Sequence, residues 1–205
     1  MHQSMKSTFR SAAQAITLLT ILAGAASAAD PVRVRGAITE VTQEAIHVKA
    51  RDGKDIAVKL AAGTMVISVA LTDLSAIKPD SYIGTAAAPQ PDGTLKALEV
   101  HIFPASMHGV GEGSRPWDSG GDSSMTNGTV GSILGTDGRT LTVKYENSEK
   151  KVFVPADVPI VSLEPADRAL LATGAKLLVL ATKAEDGSLT AMSILVGANG
   201  IAPPM

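Results

Sequence analysis

The stretch "IHVKARDGKDIAVKL", Ile46 to Leu60, decides how this chain folds. Apolar and polar residues alternate on either side of "RDGK" (Arg51 to Lys54), the pattern of two half-buried strands joined by a tight turn. The same design returns as "LTVKYENSEKKVFVP", Leu141 to Pro155, with "ENSE" at the turn. Outward from this pair the agreement continues. "RGAITEV" at Arg35 answers "NGTVGSI" at Asn127. "DLSAIKPDSYIGTAA" at Asp73 answers "DRALLATGAKLLVLA" at Asp167. "DGTLKALEVHI" at Asp92 answers "DGSLTAMSILV" at Asp186. The offset stays between 92 and 95 positions at all four points, in order, which is the signature of an internal duplication.

Each copy reads as five or six short strands with one short helix before the last strand pair. "LTDLSAIK" and "EPADRALLAT" supply that helix. Asp73 and Pro165 suit its start, and Pro79 and Gly174 suit its end. The predicted fold is mainly β: two tandem small OB-like β-barrels, each with one short helix, after an N-terminal signal peptide. The expected boundaries are residues 1–28 for the signal peptide, 29–104 for the first barrel and 105–126 for a Gly-rich linker. The second barrel follows at 127–200 and a C-terminal tail at 201–205. A unit of about 70 residues is marginal alone, so the halves are expected to pack together.

The signal peptide rests on three features. Lys6 and Arg10 precede an apolar run from Ala12 to Ala26, and small residues follow at Ala26-Ser27-Ala28. The run is short for a membrane-spanning helix and Gln14 interrupts it. Cleavage after Ala28 leaves no span and places the protein in the periplasm, with secretion as the second choice. Loss of Lys6 and Arg10 leaves 16 basic residues against 20 acidic, a formal charge of −4. Nucleic-acid binding is disfavoured by that balance and by the few aromatics. Without cysteine there are no disulfides, thiolate metal sites or Cys nucleophile.

The tandem pattern, together with "HIFP" at His101 and "GEGSRPWD" at Gly111, resembles a family of small bacterial periplasmic proteins of unknown function built from OB-like β-barrel repeats. Some of its members are labelled as metal-transport components. The resemblance implies fold and compartment and no established activity. The family pattern has His where this chain has Ser114, and Arg where it has His108, which weakens a metal role for that motif here.

Residues 105–126 carry the candidate site. Gly109, Gly111 and Gly113 allow close backbone approach, but Pro116 blocks the helix that a dinucleotide fingerprint needs. The favoured reading is a connector in which Trp117 pins the two barrels. A small ligand or an envelope partner protein would then bind at the junction, through Arg115, Trp117, Asp118 and His101. The alternative is a metal-handling protein using His101, Met107 and His108, with Met125 and Glu99 nearby; Cu, Ni or Zn are the ions those donors suit. No cofactor is otherwise required. No G-x-S-x-G, H-E-x-x-H or S-x-x-K pattern with partners occurs, so no enzyme activity is expected. "NGT" at Asn127 matches a glycosylation acceptor, and a bacterial-type signal argues against its use.

Overall fold

The computed structural model describes residues 31–135 and 138–205. The expected signal peptide, 1–28, lies outside the described residues. The fold is mainly β and contains a closed β-barrel. The first repeat supplies β1 (Val32–Val41), β2 (Ala45–Ala50), β3 (Asp55–Thr72), β4 (Tyr82–Pro89) and β5 (Leu95–Ile102). The linker supplies β6 (Gly113–Pro116). The second repeat supplies β7 (Ser124–Leu134), β8 (Thr140–Tyr145), β9 (Ser148–Phe153), β10 (Ile160–Ala166), β11 (Lys176–Lys183) and β12 (Leu189–Gly197).

The strands do not pair as the sequence boundaries suggest. β1, β2 and β3 close into a ring with β12 and β11, which come from the other repeat. The remaining strands follow the same neighbour order: β7, β8 and β9 pair on to β5, β4 and back to β7. Each ring takes three strands from one repeat and two from the other. Strand pairing therefore crosses the expected boundary between 29–104 and 127–200.

The length of β3 explains the exchange. Its 18 residues span about 60 Å when extended, far more than one small ring needs. Its first part pairs with β2 and its last part, Val66–Thr72, pairs with β10. The chain thus leaves the first ring before β4 begins. The equivalent stretch of the second repeat is broken into β9 and β10 around Pro155 and Pro159, which lack the N–H a ladder uses.

The expected helices are each a single 3₁₀ turn, Leu74–Ala76 and Arg168–Leu170. Their caps are as expected: the Asp73 carboxylate accepts from the Ser75 N–H at 2.7 Å, and that of Asp167 from the Ala169 N–H at 2.8 Å. The turns stop because the next residue is needed elsewhere. Ile77 is extended and buried in the core of the second ring, and Leu171 is buried in the core of the first. Burial of one large side chain outweighs the small gain from another turn of so short a helix. Pro165 is not a helix start; it lies in β10 opposite Ile67.

Three apolar cores result. Ile38, Ile46, Val48 and Ile194 lead the first ring, and Ile83, Val100, Leu141 and Val143 the second. The third fills the seam and centres on Val69, Leu163, Leu178 and Leu195. The tail is part of the seam: Met205 is buried there and its carbonyl accepts from Arg35 Nε at 2.8 Å.

Candidate functional site

The site begins with a row of residues across four strands. His101 on β5 lies opposite Gly84 on β4, Gly84 opposite Asn127 on β7, and Asn127 opposite Gly113 on β6. Gly84 is required there. A Cβ on it would strike His101 Nε2 and Asn127 Oδ1, so only glycine lets the two side chains meet over the sheet. A second row lies across the seam, at the positions that match the first by the sequence offset. Leu195 on β12 lies opposite Leu178 on β11, and Leu178 opposite Arg35 on β1. His–Gly–Asn in one copy is Leu–Leu–Arg in the other.

Between these rows is a cavity of about 190 Å³. Ile67 and Leu163, from the β3–β10 pair, line it together with Leu178 and Leu195 on one side and His101 and Asn127 on the other. Met107, Val110 and Gly111, from the loop after β5, also line it. That loop is tied down at three points. Tyr82 Oη and Asn127 Nδ2 each donate to the Val110 carbonyl at 3.2 Å, and Arg115 Nη1 donates to the Gly111 carbonyl at 2.9 Å.

The cavity gathers several of the residues singled out in the sequence and leaves others out. His101, Met107, Arg115, Trp117 and Met125 all line it. Asp118 does not. Its carboxylate is taken by Arg35 in a bidentate pair, both bonds 2.8 Å, which ties the linker to β1. His108 does not line it either. Its ring rests on Tyr82, with centroids 4.7 Å apart, and its Nε2 is 3.3 Å from Thr129 Oγ1. Trp117 is half-buried against the seam core and the Arg33 guanidinium covers its ring at 4.0 Å. The linker itself is more ordered than a connector: β6 pairs Arg115 with Met125 on β7.

Several buried polar atoms of this region have no hydrogen-bond partner: His101 Nδ1, Trp117 Nε1, Asn127 Oδ1 and both oxygens of Glu99. Burial pushes the His101 imidazole down to about 4, and the nearby Arg115 charge adds to this, so the ring is neutral at pH 7. Asn127 Oδ1 faces the ring outside full hydrogen-bond geometry, close enough to favour the protonated form, but burial wins. Burial also raises the Glu99 carboxyl to about 8; Arg35 opposes that and Asp118 supports it. Burial and the nearby Arg33 both weaken the hold of Arg115 on its proton.

Asn127 and Arg33 carry weight in this site that their sequence positions did not reveal. The available signal was the mismatch between repeats. His101 answers Leu195, and Gly84 answers Leu178, in otherwise matching segments. Among the described residues, no three His, Asp or Glu side chains converge as a metal site, and no helix is long and apolar enough to cross a membrane. No family model, curated protein or solved structure matches the chain.

Proposed function

We propose that this protein is a non-enzymatic binding module of the bacterial periplasm, related to the small repeat proteins its linker motif resembles. Its two rings are OB-like barrels interlocked by strand exchange, since both follow the neighbour order 1-2-3-5-4 in which strands 4 and 5 are borrowed. The ligand is a small molecule held in the cavity at their seam. One observation carries the reading. His101 Nδ1, Trp117 Nε1 and Asn127 Oδ1 are buried without partners, and all three side chains line the same apolar cavity. Each such atom costs about 1–3 kcal/mol, which a bound ligand would offset. A dry structural core has no use for them.

Trp117 is the only tryptophan, so its emission reports on the cavity directly. A panel of single-ring and short-chain compounds, titrated while emission and melting temperature are followed, tests the reading. A member that shifts both supports it. A panel that leaves both unmoved, at concentrations up to the millimolar range, removes it.

A second reading is a Cu(I) carrier. Four of the five methionines after residue 30, Met65, Met107, Met125 and Met205, line the cavity with His101, and thioether with neutral imidazole suits Cu(I). His108 has no part in that donor set. Anaerobic Cu(I) titration against a competing chelator tests it: submicromolar binding that fails in a Met107→Leu, Met125→Leu double variant supports the carrier.

A further inference from the structure

The charge distribution of the cavity discriminates between the ligands it could take. None of its lining side chains is a carboxylate, and Arg115 is the only charged one. Arg115 is half-buried and has no ion-pair partner among the described residues. Arg33, behind the Trp117 ring, has none either, and its Nε is buried without a partner. Asp118 and Glu112 each lie three positions from Arg115, and both are engaged elsewhere: Asp118 pairs with Arg35, and Glu112 accepts from the Glu146 N–H at 2.8 Å. Arg33, Arg35 and Arg115 therefore outnumber Asp118 at the seam, an excess of positive charge beside a nonpolar chamber. A cation placed there would add to it; an anion would cancel it. The directional groups agree. The Arg115 guanidinium and the Trp117 indole N–H are both donors, and the indole has nothing to donate to.

From this juxtaposition we propose that the cavity binds a small amphipathic monoanion: a carboxylate on a single-ring or short branched apolar body, with the carboxylate at Arg115 and Trp117 Nε1. Size sets the body. An apolar cavity of about 150 Å³ holds benzene, so about 190 Å³ accommodates one ring and little more. The four methionines and Leu178 and Leu195 give that body an adaptable, polarisable wall. His101, neutral and unpartnered at Nδ1, adds one hydrogen bond without adding charge. The proposal rests on the reading of the cavity as the binding site and adds the class of ligand.

Matched pairs separate the two. Benzoate, phenylacetate and hexanoate are each compared with their own amide at pH 7, by calorimetry and Trp117 emission on the full chain. At least one acid is expected to bind ten or more times tighter than its amide. Arg115→Gln should bring that pair within twofold, and Arg115→Lys should keep part of the preference. Amides that bind as well as acids overturn the anion, and a preference that survives Arg115→Gln overturns its seat at Arg115; either leaves the cavity reading standing. The wild-type comparison alone decides this if the variant fails to fold. If no acid, amide or neutral hydrocarbon binds, both readings fall. Cu(I) bound tightly with all three acids silent overturns the anion in favour of the metal.

Discussion

Val69 on β3 lies directly opposite Leu163 on β10, and the two are 94 positions apart, the offset at which the two halves of the sequence match. The pairs beside them exchange under the same relation: Ile67 faces Pro165, which stands 94 positions after Leu71, and Leu71 faces Val161, which stands 94 positions after Ile67. An approximate two-fold axis therefore passes between Val69 and Leu163. It is the arrangement of a strand-swapped dimer contained in one chain, and it puts the cavity on the one surface both copies share.

Interlocking has a mechanical consequence. A protease site inserted between Gly120 and Gly121, in an exposed loop, would yield fragments that each contribute strands to both rings. After cleavage the fragments are expected to co-elute as one species and to melt in a single transition. Separation by size exclusion without denaturant would mean that each half closes on itself, contrary to the pairing described above.

The His101–Gly84–Asn127 row makes a second demand. Gly84→Ala places a methyl where the imidazole and amide now sit, and overpacking of this kind costs about 1–3 kcal/mol. Removing the obstacle should recover much of the loss. Gly84→Ala with His101→Ala is therefore expected to be more stable than the sum of the two single changes, by a coupling of about 1 kcal/mol or more in a double-mutant cycle. Simple additivity would show that the two side chains do not compete for that space.

Trp117 and Asp118 hold the linker down by different means. Trp117→Ala removes half-buried aromatic area and the Arg33 stacking, and should cost about 2 kcal/mol, less than the 3–5 typical of a fully buried ring. Asp118→Ala leaves Arg35 with its bond to Met205 alone. The Asp118 side chain is 43% exposed, so solvent screening holds the cost to about 1 kcal/mol. A larger loss for Asp118→Ala than for Trp117→Ala in urea denaturation would assign the anchoring to the ion pair rather than to the ring.

The strands were legible in the sequence because alternation and turn chemistry are local. β2 coincides with "AIHVKA", and the turns at Asp52-Gly53 and Asp186-Gly187 stand between paired strands. The exchange was not legible, because a repeat in sequence is compatible with either partner ring. Nothing local in β4 says whether its neighbour is β1 or β7. Its six consecutive buried residues, Tyr82–Ala87, show only that both faces are covered. The helices were overcalled for a related reason: the Asp caps are local, whereas the pull on Ile77 and Leu171 comes from distant cores. For the site, the linker drew attention to Met107, Arg115 and Trp117. It could not show that Leu178 and Leu195, some 60 residues or more further along the chain, complete the same cavity.

Buried Glu99 and His101 give the fold a pH profile with two opposing slopes. The Glu99 carboxyl is raised to about 8 from an ordinary 4.5, so the folded protein holds a proton there that the unfolded chain releases. That contribution is complete below about 4.5 and is lost as pH rises through 8. His101 runs the other way. Its folded value of about 4 lies below the ordinary 6.5, so its contribution is complete above 6.5 and is lost as pH falls towards 4. Between about 4.5 and 6.5 the two slopes offset one another; above 6.5 only Glu99 remains. Stability measured by urea denaturation should therefore decline from pH 6.5 to 8.5. Glu99→Gln, neutral at every pH, should flatten that decline and unmask a rise in stability between about pH 4 and 6.5, while His101→Leu should extend the Glu99 decline down to about pH 4.5. A profile of Glu99→Gln that falls as steeply as the parent's above pH 6.5 would show that the carboxyl is ionised and solvated in the folded protein.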